Sequence, residues 1–249
     1  LAPPLDVVEG YMWGREWPLL TYKHPALPAW VIEASRVVTF GAIGWPIYLA
    51  SQLFLLATLA IVFLLARDLV GGERALLAVL PLLVFEHFAW RSPEYNHTIA
   101  QFPFWTAVAL FTWRAAERGT WTSWLCLALA MAGGVYTKFS HGLIVVVAAA
   151  WLLYDPRSRR QLATLKPWIA GALAVVLVAP IAIWFSRNGM LPLEYARSRA
   201  AEPSASAVSF VARAAITALP MIAVLALAAG LARRDGPPHV EKNSANAAA

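Results

Sequence analysis

Long apolar runs without charge constrain this chain more than any other feature of its sequence. The run from Trp45 to Ala66 contains no charged residue. As a helix this run would be roughly 33 Å long, enough to cross a hydrocarbon core of about 30 Å. The apolar runs lack the two-residue alternation of a membrane barrel strand. The sequence therefore predicts an all-α fold, a polytopic transmembrane helix bundle.

Seven such runs are expected to span the membrane, and they lie near residues 45–66, 75–90, 98–113, 121–137, 142–154, 167–186 and 214–232. Arginine-rich segments follow the first, third, fifth and seventh runs, so all four lie on one side of the membrane. Short basic loops favour the cytoplasmic side. We therefore predict a multi-pass protein of the cell inner (plasma) membrane, with residues 1–44 as its first outer loop.

Composition limits the remaining possibilities. Residues 1–234 are expected to form the transmembrane domain, and the polar tail 235–249 is expected to be disordered. The net charge of +6 does not indicate a nucleic-acid partner, because the basic residues are scattered among short loops. The single cysteine, Cys126, excludes a disulfide within the chain. Because the chain begins at Leu1 and not at Met, we expect it to be a fragment that lacks a preceding segment.

The first outer loop contains one amphipathic segment. From Leu27 to Val38, apolar residues recur with helical spacing, and Glu33 and Arg36 interrupt them on another side. A helix of about 12 residues is too short to span the bilayer, so we expect it to lie at the membrane interface.

Ionisable residues in the same loop are candidates for chemistry. Asp6 and Glu9 are three residues apart, which places them on one face of a helical turn. Paired carboxylates suit a general base, or a base beside a cation ligand, but a solvated turn is the simpler alternative. Lys23 suits an anionic phosphate or a lipid headgroup, and His24 adjoins it. Trp13 is either a platform for a sugar or one of the tryptophans of the interfacial belt.

Two later outer loops are also rich in polar residues. Arg91, Glu94, Asn96 and His97 lie between the second and third runs, and Lys138 and His141 lie between the fourth and fifth. Ionisable groups at membrane depth tend to face a cavity, although a simple turn explains loop residues equally well.

The first outer loop resembles that of family 39-type glycosyltransferases, which have the GT-C fold and use dolichyl- or polyprenyl-phosphate sugars. The resemblance rests on the segments Leu5-Asp6-Val7-Val8-Glu9-Gly10-Tyr11-Met12-Trp13 and Tyr22-Lys23-His24-Pro25-Ala26-Leu27-Pro28-Ala29-Trp30. The chain is most similar to the bacterial branch that includes the rhizobial galacturonic acid transferases. It departs from the family at Ala26, which replaces a proline, and in lacking an aspartate near Glu94.

The resemblance implies a GT-C-like membrane glycosyltransferase that moves a sugar from a polyprenyl-phosphate donor to a lipid, glycan or protein acceptor on the non-cytoplasmic face. It implies catalysis by Asp6 and Glu9. The residues implied to bind the donor phosphate are Lys23, His24, Arg91 and Lys138. Four others are candidates to line the site or bind acceptor: Glu94, Asn96, His97 and His141. No cofactor follows from these motifs, and a divalent cation beside the carboxylates stays an open alternative.

Two other functions are compatible with an apolar bundle and an outer cluster of charge. One is a transporter or flippase for a lipid-linked saccharide, for which paired halves and midplane charges are typical. The other is a non-catalytic membrane assembly subunit, for which Asp6 would be dispensable.

Overall fold

The computed structural model describes residues 4–201 and 206–234, and within these ranges the chain is helical without strands. The prediction of an all-α fold is thus confirmed for these residues, whereas the tail 235–249 lies outside them. The α-helices, numbered α1 to α11 in chain order, are Leu5–Gly14, Leu27–Val38, Trp45–Val70, Gly72–Val79, His97–Arg118, Trp121–Val135, His141–Tyr154, Pro156–Gln161, Leu165–Asn188, Leu191–Ala200 and Ala207–Arg234.

Two of the described helices, α3 and α9, are long and apolar enough to cross a membrane. Shorter apolar helices lie at Trp121–Val135, His141–Tyr154 and Ala214–Val224. Many large apolar side chains of α3 and α9 are exposed, among them Leu53, Leu56 and Val175. Exposed apolar side chains around a helix are expected when lipid, rather than water, surrounds it.

The segment expected as the second span is not one continuous helix. Helix α4 ends at Val79, a short 3-10 helix covers Leu80–Val84, and turns follow as far as residue 93. Pro81 explains the break, because proline has no backbone N–H and its ring clashes with the preceding turn of an α-helix. Helices lie over each of the other six expected runs.

Helix α5 is the centre of the bundle. It packs against α3, α6 and α7, and α6 packs in turn against α9. Small residues such as Ala107 and Ala128 are buried between these helices beside Val108 and Leu127. Small side chains let helix backbones approach closely, which is the usual way in which helices pack inside a bilayer.

Helices α1 and α2 form a pair above the bundle. A second cluster, which includes Val7, Ile32, Ile47 and Ile99, joins this pair to α3 and α5. The bounds of α2 coincide with those expected from the sequence. Glu33 lies on another side of α2 than the apolar stripe, as expected, but that side is the buried one.

Glu33 lies on the buried face of α2 with Ala29 and Ile32, whereas Val37 and Val38 are exposed. Arg36 compensates the buried carboxylate by donating two hydrogen bonds to it, of 2.6 and 2.9 Å. The apolar positions face outward because a lipid interface, and not only the protein core, can cover them.

The end of the bundle opposite this pair carries a separate network of charges. Asp68, at the end of α3, lies 2.6 Å from Arg114 and 3.0 Å from Arg118 of α5. Arg157 of α8 is paired with Glu117. These contacts join residues of three loops that the sequence places on the cytoplasmic side.

Candidate active site

Lys23 joins the two carboxylates of α1. Its Nζ donates a hydrogen bond to Glu9 Oε2 at 2.8 Å and lies 4.0 Å from Asp6 Oδ1. The side chains differ in exposure: Asp6 is 47% exposed, Glu9 21% and Lys23 13%. Burial alone would lower the pKa of Lys23, but its hydrogen bond to Glu9 and the negative charge around it raise that pKa above its ordinary value. Asp6 is thus the carboxylate that is open to a ligand.

A tight turn presents Lys23 and His24 side by side. The Thr21 Oγ1 accepts hydrogen bonds from the backbone N–H groups of Lys23 and His24, at 3.3 and 3.0 Å. The same hydroxyl donates to the His24 carbonyl at 2.9 Å. Threonine hydroxyls stabilise turns in this way, so the local sequence determines how Lys23 and His24 are displayed.

Lys138 approaches the same place from the bundle. The backbone N–H of Leu27 donates to the Tyr136 carbonyl at 3.0 Å, which ties the first outer loop to the end of α6. Lys138 Nζ then donates to Thr98 Oγ1 at 3.3 Å. Burial lowers the pKa of Lys138, an effect that Asp6 partly opposes. Among the described residues Lys138 has no carboxylate within ion-pair distance, so its charge is available to an anion.

Two histidines meet beside these lysines. The rings of His24 and His97 lie 4.2 Å apart between centroids, and His97 is buried at the start of α5. Burial and the positive charges of Lys23 and Lys138 lower the pKa of His24 to about 4. His24 is therefore neutral at pH 7 and acts as a hydrogen-bonding group rather than as a cation.

The structure does not bring all the sequence-predicted residues into this cluster. Arg91 and Glu94 lie 3.6 Å from each other, and within the described part of the chain no hydrogen bond or ion pair links them to Lys23 or Lys138. The Asn96 side chain instead caps α5 by accepting from two backbone N–H groups.

His141 is also apart from the cluster. It is fully buried, and its ring covers Gly134 of α6 closely enough to leave no room there for a Cβ atom. Neither of its ring nitrogens has a hydrogen-bond partner among the described residues.

Tyr195 is a site residue that sequence reasoning missed. It lies on α10, and its ring centre is 5.8 Å from Lys23 Nζ and 6.2 Å from the His24 ring centroid. Of residues 191–199, only Pro192 and Tyr195 are not exposed. The one available sequence signal was the Leu191-Pro192 pair, because proline is common in the first turn of a helix.

The described residues contain no group of three or more His, Cys, Asp or Glu placed to hold a metal ion. The Asp6 and Glu9 carboxylates both lie within ion-pair distance of the Lys23 ammonium, which offsets one of their two negative charges.

A family model described as dolichyl-phosphate-mannose-protein mannosyltransferase matches residues 23–184, more than half of the chain. The chain belongs to this family. Searches of curated proteins and of solved structures each gave no match. Membership confirms the coarser sequence prediction of a membrane glycosyltransferase, and the family is of the mannosyltransferase type. The match begins at Lys23 and includes His24 and Lys138, whereas Asp6 and Glu9 precede it.

Proposed function

We propose that this chain transfers a sugar from a polyprenyl-phosphate donor to an acceptor hydroxyl on the non-cytoplasmic side of the cell inner membrane. The observation that carries the proposal is the Asp6–Glu9–Lys23 cluster, in which one carboxylate is paired and the other is open. A base needs an accessible carboxylate, and a phosphate needs a cation close to that base.

The reaction follows from the roles of these groups. The acceptor oxygen attacks the anomeric carbon of the donor sugar as its proton passes to the Asp6 carboxylate. The bond between the anomeric carbon and the phosphate oxygen breaks, and its electron pair leaves with polyprenyl phosphate. The phosphate therefore gains one negative charge, Asp6 becomes a neutral acid, and the total charge is unchanged.

Lys138 is the group best suited to stabilise that new charge. Its ammonium is partly buried and, within residues 4–201 and 206–234, donates only to Thr98, whereas Lys23 is already neutralised by Glu9. A buried cation without a counter-charge is costly, and a bound phosphate relieves that cost. Neutral His24 donates a hydrogen bond to the phosphate. Lys23 also binds the phosphate when the phosphate competes with Glu9 for the lysine.

The proposal includes a polytopic, GT-C-like domain over residues 1–234, with α1 and α2 in the first outer loop. The two charged ends of the bundle support it, because arginine pairs gather at one end and the Lys23 cluster lies at the other. Which sugar is moved, and whether the chain belongs to the branch of the galacturonic acid transferases, stay predictions.

Substitution of Asp6 tests the catalytic role. Asp6→Asn in the full-length protein should reduce the transfer rate at least about 100-fold, the lower range for loss of a general base. Glu16→Gln is the matched control, because Glu16 is exposed and outside the cluster. Normal transfer by Asp6→Asn would remove Asp6 from the mechanism, whereas absence of transfer by the natural chain would favour a non-catalytic subunit.

The donor is tested separately, by offering the purified protein either a polyprenyl-phosphate sugar or the matching nucleotide sugar. Transfer from the lipid-linked donor alone is the expected result. Transfer from the nucleotide sugar alone would contradict the donor assignment. Movement of the lipid-linked sugar across a vesicle membrane without transfer would instead favour a flippase.

A further inference from the structure

Three aromatic rings form a continuous row beside the ionic cluster. The Trp13 and Tyr22 rings meet edge to face with their centroids 6.1 Å apart, and Tyr22 meets Tyr195 in the same way at 5.9 Å. Rings that meet at right angles do not close into a stack, so part of each face stays open. Tyr22 is 52% exposed, and Trp13 and Tyr195 are partly exposed.

The row is continuous with the site rather than with the lipid-facing surface. Lys23 Nζ lies over the Tyr195 ring and His24 lies beside it, so one end of the row adjoins the ionic cluster. Tryptophans of the interfacial belt are expected to point outward into the headgroups. Trp45 and Trp90 are 57% and 65% exposed, as expected for such tryptophans, whereas Trp13 is only partly exposed.

The position of Trp13 on α1 relates the row to the proposed base. Asp6, Glu9 and Trp13 are separated by three and then four residues, which places them along one stripe of the helix. The seven residues from Asp6 to Trp13 correspond to a rise of about 10 Å. A ligand whose reacting hydroxyl is at Asp6 therefore reaches Trp13 only if it continues past its first unit.

We propose that Trp13, Tyr22 and Tyr195 form an acceptor subsite, and that the acceptor is an oligosaccharide with its reacting hydroxyl at Asp6. This inference rests on the proposed glycosyl transfer. The C–H face of a sugar ring carries slight positive charge and packs on the negative face of an aromatic ring. The hydroxyl groups at its edge stay free for hydrogen bonds to nearby polar side chains.

A peptide acceptor fits the same surface less well. Extended peptides commonly bind by adding a strand to the edge of a sheet, and the described part of the chain has no strand. Ring faces beside charged groups suit a ligand that is apolar on its faces and polar at its edges, which describes a sugar.

Binding is tested with the full-length protein in lipid nanodiscs, by saturation-transfer NMR. The probes are a panel of free di- and trisaccharides and a peptide rich in Ser and Thr. We expect saturation of the protein to reach at least one saccharide and not the peptide. Trp13→Ala and Tyr195→Ala should abolish that signal, and Trp13→Phe should restore it. Trp90→Ala is the control, because it removes an exposed tryptophan outside the row.

Kinetics provide a second readout with the saccharide that binds. Trp13→Ala should raise the KM for this acceptor about 10-fold, as expected for one aromatic contact, and leave the KM for the donor unchanged. Saccharide binding that is independent of Trp13, binding of the peptide alone, or no saccharide binding at all would overturn the acceptor subsite. Failure of the proposed function is distinguishable, because the natural chain would then transfer no sugar from the lipid-linked donor while saccharide binding stayed dependent on Trp13.

Discussion

At the scale of single residues, the outer site depends on the unequal distances of one lysine from two carboxylates. Lys23 is hydrogen-bonded to Glu9 and more distant from Asp6. The Glu9 carboxylate is already engaged by its hydrogen bond to Lys23, whereas the more exposed Asp6 carboxylate is accessible to a ligand. The two acidic residues, although one helical turn apart, are therefore expected to have different roles.

The first prediction concerns Glu9. Glu9→Gln removes the hydrogen-bonded partner of Lys23, and a hydrogen bond between charged groups contributes about 1.5–3 kcal/mol, which corresponds to roughly 10- to 100-fold in rate if it positions the site. We therefore expect a smaller loss of kcat/KM than for Asp6→Asn, measured with a polyprenyl-phosphate sugar. A larger loss for Glu9→Gln would exchange the roles of the two carboxylates.

The second prediction concerns pH and His24. Because burial and the charges of Lys23 and Lys138 hold the pKa of His24 at about 4, the folded protein resists protonation that the unfolded chain accepts below about 6.5. Stability should therefore fall as the pH is lowered from 6.5 towards 4. The measurement is the Tm in detergent at pH 7 and pH 5.

His24→Asn is the test of this assignment. The variant should lose less Tm than the natural chain between pH 7 and pH 5, since it has no imidazole to protonate beside Lys23, Lys138 and His97. Glu9 is also near and partly favours the protonated form of His24. An identical pH dependence in both proteins would show that other groups are responsible.

At the scale of helices, the site depends on close packing between α1 and α2. Gly10 and Gly14 are four residues apart on the buried side of α1. A Cβ atom at Gly14 would lie 2.6 Å from the Ala29 carbonyl oxygen and 2.9 Å from Glu33 Cβ. Glycines at this spacing allow two helix backbones to touch, and here they hold the Asp6–Glu9 face above the bundle.

The third prediction follows from that contact. Gly14→Ala should destabilise the protein by about 1–3 kcal/mol, the usual cost of overpacking, because backbone and not a flexible side chain obstructs the new methyl group. Gly142→Ala is the matched control, since nothing lies within 4 Å of a Cβ built there. Thermal unfolding in detergent compares the two. Equal Tm values for both variants would contradict close packing of α1 on α2.

At the scale of the whole molecule, charge is separated between two ends of an apolar bundle. Asp68, Arg114 and Arg118 form an ion-pair network at one end, and the Lys23 cluster lies at the other. Short arginine-rich loops favour the cytoplasmic side, so we predict that the Arg114 end is cytoplasmic.

The fourth prediction is the resulting topology, tested by cysteine labelling in a Cys126→Ala background. Glu16 and Arg160 are both exposed and belong to opposite ends. An impermeant maleimide should label Glu16→Cys in intact cells, and Arg160→Cys only after the membrane is made permeable. The reverse pattern would place the proposed active site in the cytoplasm and exclude the proposed orientation.

Much of the architecture was predictable because local sequence controls it. Uncharged runs predicted α3 and α9, and helical spacing predicted α2 over Leu27–Val38. The carboxylate pair was also predictable, because a separation of three residues has a definite meaning on a helix. The break in the helix at Pro81 was also predictable from the local sequence, because proline interrupts an α-helix, although hydropathy alone does not predict it.

Only the tertiary structure decided which distant residues meet. Lys23 pairs with Glu9 across 14 residues and Lys138 reaches Thr98 across 40, while Arg91 forms its ion pairs elsewhere. Tyr195 joins the site from a helix that carries no local functional signal. Local periodicity shows which positions are apolar but not whether protein or lipid covers them. Contacts between residues that are far apart in the sequence depend on how whole helices pack against each other.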